Sequence, residues 1–121
     1  MIGSFRELRV YQKAYQNSLE IHQLSLTFPR LEQYELSSQI RRAAKSIALN
    51  IAEGYGRKDS LADFKRFMTM ALGSNDEVRA ELDYCRDLKY ISEEQHEHYE
   101  GEYVAIGKML SKMLQNWQTA E

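Results

Sequence analysis

Few residues in this 121-residue chain have the types and spacing that chemistry needs. The nearest approach to a metal motif is Glu93 with His96 three residues on, which sets a carboxylate and an imidazole on one helix face as in di-metal bundles. Such a site needs two copies and further inward carboxylates. Only one copy exists, beside a helix start, so a solvated polar turn is the expectation there. His22 follows the seam residue Ile21 and is expected at a helix interface with one ring nitrogen bonded, not as a ligand. Cys85, the single cysteine, stands on an apolar seam with no His or other base beside it in sequence, so it should pack as a small hydrophobe. Gly54 and Gly56 of NIAEGYGR close a helix and do not follow a strand, which excludes a phosphate-binding loop. No catalytic residue, metal site or cofactor is expected, and no enzyme signature remains; a metal- or small-ligand-binding bundle is the alternative.

The charges carry more information than the titratable singletons. Residues 1–66 hold 11 Lys and Arg against 7 Asp and Glu, whereas residues 67–121 hold 5 against 11, within an overall net charge of −2. Basic and acidic helices could face one another within a bundle or across a subunit contact. A basic patch for nucleic acid is the sharper alternative, weakened by the overall acidity. Arg57 and Lys58 fall at one end of a helix with Lys65 and Arg66 close by in sequence; with Arg42 they form the candidate nucleic-acid or partner contact. Repeated in every subunit of a ring, such modest charge becomes a binding surface.

The elements that must position these groups follow from apolar periodicity. Val10, Ala14, Asn17, Ile21, Leu24 and Phe28 step by four and three, predicting a helix over 6–28 that Pro29 closes. Leu36, Ile40, Ala43, Ala44, Ile47 and Ile51 predict a second over 35–55, stopped by the two glycines. Phe64, Met68, Ala71, Asn75, Val78, Leu82 and Cys85 keep a heptad seam over 60–89, with Ser60 as the cap. Tyr99, Tyr103, Ile106, Leu110, Met113 and Trp117 mark a fourth helix over 93–118, opened by a Ser92–Gln95 capping box. No strand pattern survives. Short joints make neighbours antiparallel, so the expected fold is an all-α, up-down-up-down four-helix bundle forming one domain over 1–121.

Composition agrees with that class: 43% hydrophobic and 28% charged residues, and one Pro. No apolar run approaches the roughly 18 residues of a membrane span. The charged opening MIGSFRELRV is unlike a signal peptide, and a lone cysteine makes a reducing cytoplasm the default compartment. The second helix is wider than one seam requires. Ala44, Ala48 and Ala52 step by four around its side, which predicts a second neighbour. Arg41, Ala44, Lys45, Ala48, Ala52 and Tyr55 are therefore the candidate oligomer interface, with Arg41 expected to pair with a carboxylate such as Asp76, Glu77 or Glu81 of its own or a neighbouring subunit.

QIRRAAKSIALNIAEGYGR, with FRELRVYQKAY before it and DFKRFMTMALGSNDEVRAEL after it, resembles the four-helix bundle family also called the 23S rRNA intervening-sequence protein family. The likeness covers nearly the whole chain. Its specific parts are QIRRAA, NIAEGYGR and the run Phe64, Phe67, Ala71, Gly73 and Ser74. The resemblance implies a homopentameric ring of bundles in bacteria, no established enzymatic activity and, for most members, no established function; the expected role is a scaffold whose oligomer presents a surface to a partner such as an RNA or a nucleic-acid enzyme. A related branch serves as accessory proteins of diversity-generating retroelements; that branch is basic, and this chain is acidic. Ala48 replaces a mid-helix Pro common in the family, predicting a straighter second helix. Asn17 and Asn75 stand where relatives commonly have Leu. Either both meet near mid-bundle, with Asn50 or a water, or both tilt to the edge of the seam.

Overall fold

The computed structural model describes residues 3–117. Four helices carry the chain: α1 Arg9–Ser25, α2 Leu36–Gly56, α3 Leu61–Asp87 and α4 Glu93–Asn116. Single 3-10 turns at Phe5–Glu7 and Arg30–Glu32 precede α1 and α2, and no strand occurs among the described residues. Each helix packs on the next, and α1 also packs on α4. Paired residues run in opposite senses: Ser46 meets Ser74 while Gly54 meets Phe67, and Asn75, Arg79 and Asp83 meet Tyr103, Glu100 and His96 in turn. The four-helix, all-α expectation therefore holds, with α3 antiparallel to both α2 and α4.

The seams form the core as their periodicity predicts. The seven α3 seam residues from Phe64 to Cys85 are all buried, as are Val10, Ala14 and Ile21 of α1 and Tyr103, Ile106 and Leu110 of α4. Both serine caps are present. Ser60 Oγ accepts from the Asp63 N–H, and Ser92 and Gln95 complete a capping box at 3.0 and 2.9 Å.

The ends differ from expectation for local reasons. Helix α1 begins at Arg9 because Ser4 caps a separate 3-10 turn and Leu8 is extended. It stops at Ser25, three residues early. The Ser25 and Thr27 hydroxyls turn back to the His22 and Leu24 carbonyls at 2.7 Å, and the Gln33 amide donates to the Ser25 and Phe28 carbonyls. Helix α3 stops at Asp87, where Lys89 adopts a positive φ of 66°. The Lys89 and Tyr90 N–H groups donate to the Arg86 and Cys85 carbonyls at 2.9 and 2.8 Å, a Schellman ending with a lysine where glycine is usual. The predicted end of the last helix at 118 lies outside the described residues.

Gly54 requires a correction. It does not stop α2, which runs unbroken through Ala48 to Gly56. A Cβ at Gly54 would lie 2.6 Å from the Met68 methyl and 2.9 Å from Phe67 Cβ, so this glycine allows α2 and α3 to approach closely. Gly56 has open space around it.

The asparagines also differ from both alternatives. Asn17 donates to the Lys13 carbonyl and to Glu102 of α4, at 3.0 and 3.1 Å. Asn75 donates to the Tyr103 carbonyl at 2.9 Å and is fully buried. Asn50 turns to Ser46 within its own helix. The two seam amides thus each bond α4 separately, and neither bonds the other.

Candidate interaction surfaces

The faces of α2 decide what a partner could touch. Ala44, Ala48 and Tyr55 are buried within the subunit, Ala48 at 4% exposure, and Ala52 is half-buried. The predicted interface strip is thus spent largely inside the bundle, where a second subunit cannot reach Ala44, Ala48 or Tyr55. A Glu at Ala48 would disrupt the fold itself, so it cannot serve as a probe of assembly. Arg41 is corrected too. Its guanidinium donates to Ser25 Oγ at 2.8 Å and to the Gln33 carbonyl at 3.1 Å, tying α2 to the end of α1, with no carboxylate of its own subunit involved.

What α2 offers to solvent lies further round the helix. Arg42, Lys45 and Leu49 are exposed, Leu49 at 67%, and they line a shallow groove of about 460 Å³ with Ser38, Ser46 and Asn50. Among the described residues neither Arg42 nor Lys45 makes a hydrogen bond or ion pair. Of the predicted interface residues, Lys45 is thus fully available. Arg42, predicted with the nucleic-acid set, belongs to this face, about 22 Å along the helix from Arg57.

At the α2–α3 joint the other four basic residues do come together, but partly neutralised. Arg57 pairs with Glu53 at 3.3 Å and lies 3.8 Å from Asp63, which Arg66 also approaches at 3.8 Å. Arg57 and Arg66 both lie over the Phe67 ring, and Lys58 over Tyr55. Lys65 is exposed beside them. The two arginines are thus already engaged with carboxylates, so the end presents less positive charge than its sequence suggests.

The opposite end holds a feature that the periodicity did not reveal. Glu81 of α3 is 8% exposed, and its Oε1 is buried with no hydrogen-bond partner. Burial, together with Glu77 one turn earlier, pushes its carboxyl up to about 8. It lines a pocket of about 420 Å³ with Glu32, Glu35, Leu36, Gln39, Tyr84 and Leu88, and no cation lines that pocket. Tyr90 holds Glu32 in place through a 2.7 Å hydrogen bond. The only sequence signal was a carboxylate adjoining the seam residue Leu82, four residues after another carboxylate.

His96 is another correction. It is buried, and its Nε2 lies 2.8 Å from Asp83 of α3, so it links α4 to α3 and is not a solvated turn. Cys85 is enclosed, and burial pushes its thiol up to about 12, which leaves the reactive thiolate scarce. Among the described residues no group of three or more His, Cys, Asp or Glu is placed to hold a metal ion. No helix among them is long and apolar enough to cross a membrane.

Charged, partly apolar outer faces around a close-packed interior place the chain among all-α four-helix bundles. Residues 6–112 match the family model described as 23S rRNA-intervening sequence protein. The chain belongs to that family. It is also similar, at 27% identity and a TM-score of 0.81, to the crystal structure of a protein of unknown function from the S23 ribosomal protein family of Bacteroides thetaiotaomicron VPI-5482. That likeness covers 88% of this chain and 96% of the other. No curated protein matches.

Proposed function

We propose that this chain is a non-enzymatic, oligomer-forming bundle protein of the cytoplasm, acting as a scaffold for a protein or RNA partner. The observation that carries this is the apolar surface a single subunit leaves uncovered: Leu49 on α2, and Leu31 and Tyr34 on the connection before it, Tyr34 at 92% exposure. Exposed leucines and tyrosines beside charged rims are the composition of a protein interface. A homopentameric ring, which the family resemblance implies, is the assembly we favour. In such a ring Lys58 and Lys65 recur in each subunit, and a nucleic acid or nucleic-acid enzyme is the partner class that repeated charge would suit. Size-exclusion chromatography with light scattering should give one discrete multiple of the 14.2 kDa subunit at micromolar concentration. A stable monomer overturns the scaffold reading. RNA affinity, where present, should fall steeply as salt rises; affinity insensitive to salt would remove the phosphate contacts from it.

A further inference from the structure

The acidic pocket between α2 and α3 is an incomplete site in one subunit. Glu81 carries a buried oxygen without a partner, Glu32 and Glu35 add two more carboxylates, and Tyr84 and Leu88 form an exposed apolar collar, Tyr84 at 63% exposure. A carboxylate enclosed this way is costly to ionise until a cation answers it, and an apolar collar keeps water from screening the pair. The described residues provide no metal-ligand arrangement, so an organic cation borne on a side chain is the fitting occupant.

The same chain displays the complement on an adjoining surface. Arg42 and Lys45 stand one turn apart on the exposed ridge of α2 without carboxylate partners, next to the exposed Leu49. A carboxylate-lined pocket with an apolar collar and a cationic ridge with an apolar neighbour match in charge and in character. Pocket and ridge are distinct surfaces that adjoin along α2 at Gln39 and Arg42, so seating the ridge of one copy in the pocket of another makes a heterologous contact.

We propose that the Glu32–Glu35–Glu81 pocket of one subunit receives the Arg42–Lys45 ridge of α2 from a second copy of this chain. The proposal rests on the oligomeric reading above and names the contact that would make the oligomer. Each docked cation pairs with the carboxylates at the pocket mouth and lets Glu81 ionise, while Leu49 packs against the Tyr84 and Leu88 collar. Arg42 suits the pocket best because its planar guanidinium can bond a carboxylate through two N–H groups.

Two double variants test it. Glu35→Lys with Glu81→Gln spoils the pocket and leaves the ridge; Arg42→Glu with Lys45→Glu spoils the ridge and leaves the pocket. Glu81→Gln keeps the side-chain shape, and the other three residues are exposed, so both variants should retain the wild-type circular dichroism spectrum. Each alone should run at the mass of one subunit. Mixed in equal amounts they should give a complex of two subunits and nothing larger, since each supplies one intact half-site. A wild-type monomer would sink the oligomeric reading and this contact together. A wild-type oligomer whose variants keep the wild-type mass, or whose separated variants give no complex on mixing, would overturn this contact alone.

Discussion

The groove between α3 and α4 and the connection end of the groove between α2 and α3 are built from similar residues to opposite effect. Along the first, each turn of α3 presents a polar group and α4 answers it: Asn75 with the Tyr103 carbonyl, Arg79 with Glu100 at 2.8 Å, Asp83 with His96 at 2.8 Å. Along the second, Glu81 shares a pocket with Glu32 and Glu35, and its Oε1 has no hydrogen-bond partner. Even in the finished groove, Asn75 Oδ1 and the Tyr103 hydroxyl stay unpaired. Those are neutral groups, whose burial costs far less than that of a carboxylate. One groove is interior, and the other has the chemistry of a surface awaiting a counterpart.

The sharpest way to break that contrast is to give the finished groove the defect of the other. Asn75→Asp removes the donor to the Tyr103 carbonyl and places an ionisable acid where nothing can compensate it. Unfolding free energy from chemical denaturation at neutral pH should fall by about 3–5 kcal/mol, the usual cost of an unanswered buried charge. A loss under about 1 kcal/mol would mean the site is wetter than its burial implies.

That Asn75 bonds α4 was only half legible in the sequence. Heptad spacing put it on the seam, since period follows from backbone geometry, and Val78, Leu82 and Cys85 fell into place beside it for the same reason. Which group an amide meets depends on the relative rotation of two helices, which no single helix encodes. The alanine strip shows the same limit. Small residues at intervals of four marked a close neighbour, but their spacing could not distinguish a helix of the same chain from one of another. Arg41 was misplaced because its partners, Ser25 and the Gln33 carbonyl, are brought to it by a turn whose shape is set by serine and threonine back-bonding at the end of α1. The exposed ridge of Arg42 and Lys45 was visible in outline; the pocket at Glu81 was not, because it combines Glu81, Tyr84 and Leu88 with the first turn of α2 and the connection before it.

A second prediction probes the unfinished groove through pH. Glu81 ionises near 8 in the folded chain against an ordinary 4.5, with burial the largest cause and Glu77 the next. Below pH 4.5 both folded and unfolded chains hold the proton, so the group is neutral to stability. As pH rises from 4.5 to 8 the unfolded chain releases it first, and stability declines; above 8 the decline is complete. This residue should remove on the order of 2–4 kcal/mol over that window. Glu102 acts in the other sense, held below the usual range by its bond from Asn17, but its contribution is lost only as pH falls below 4.5. Denaturant titrations at pH 5 and pH 8 should therefore differ for the Arg42→Glu, Lys45→Glu chain, whose pocket stays empty, and nearly coincide once Glu81→Gln is added. An unchanged difference in the variant would place the linked proton elsewhere.

The smallest effect separates two glycines that stand two residues apart in sequence. At the far end of the α2–α3 groove, where the helices close completely, a methyl group at Gly54 would press on the Phe67 Cβ and the Met68 methyl. Met68 is flexible and can swing aside, but Phe67 Cβ is fixed by the backbone of α3, so Gly54→Ala should force the helices apart and cost about 1–3 kcal/mol. Gly56 has no neighbour within 4 Å and no positive φ, so Gly56→Ala meets nothing and should gain up to about 1 kcal/mol from the better helix propensity of alanine. Thermal melts of the two variants should move in opposite directions. Equal shifts would mean that both glycines act merely as helix-ending residues, and that the close approach of α2 and α3 at this end contributes nothing to the contrast with the open pocket at the other.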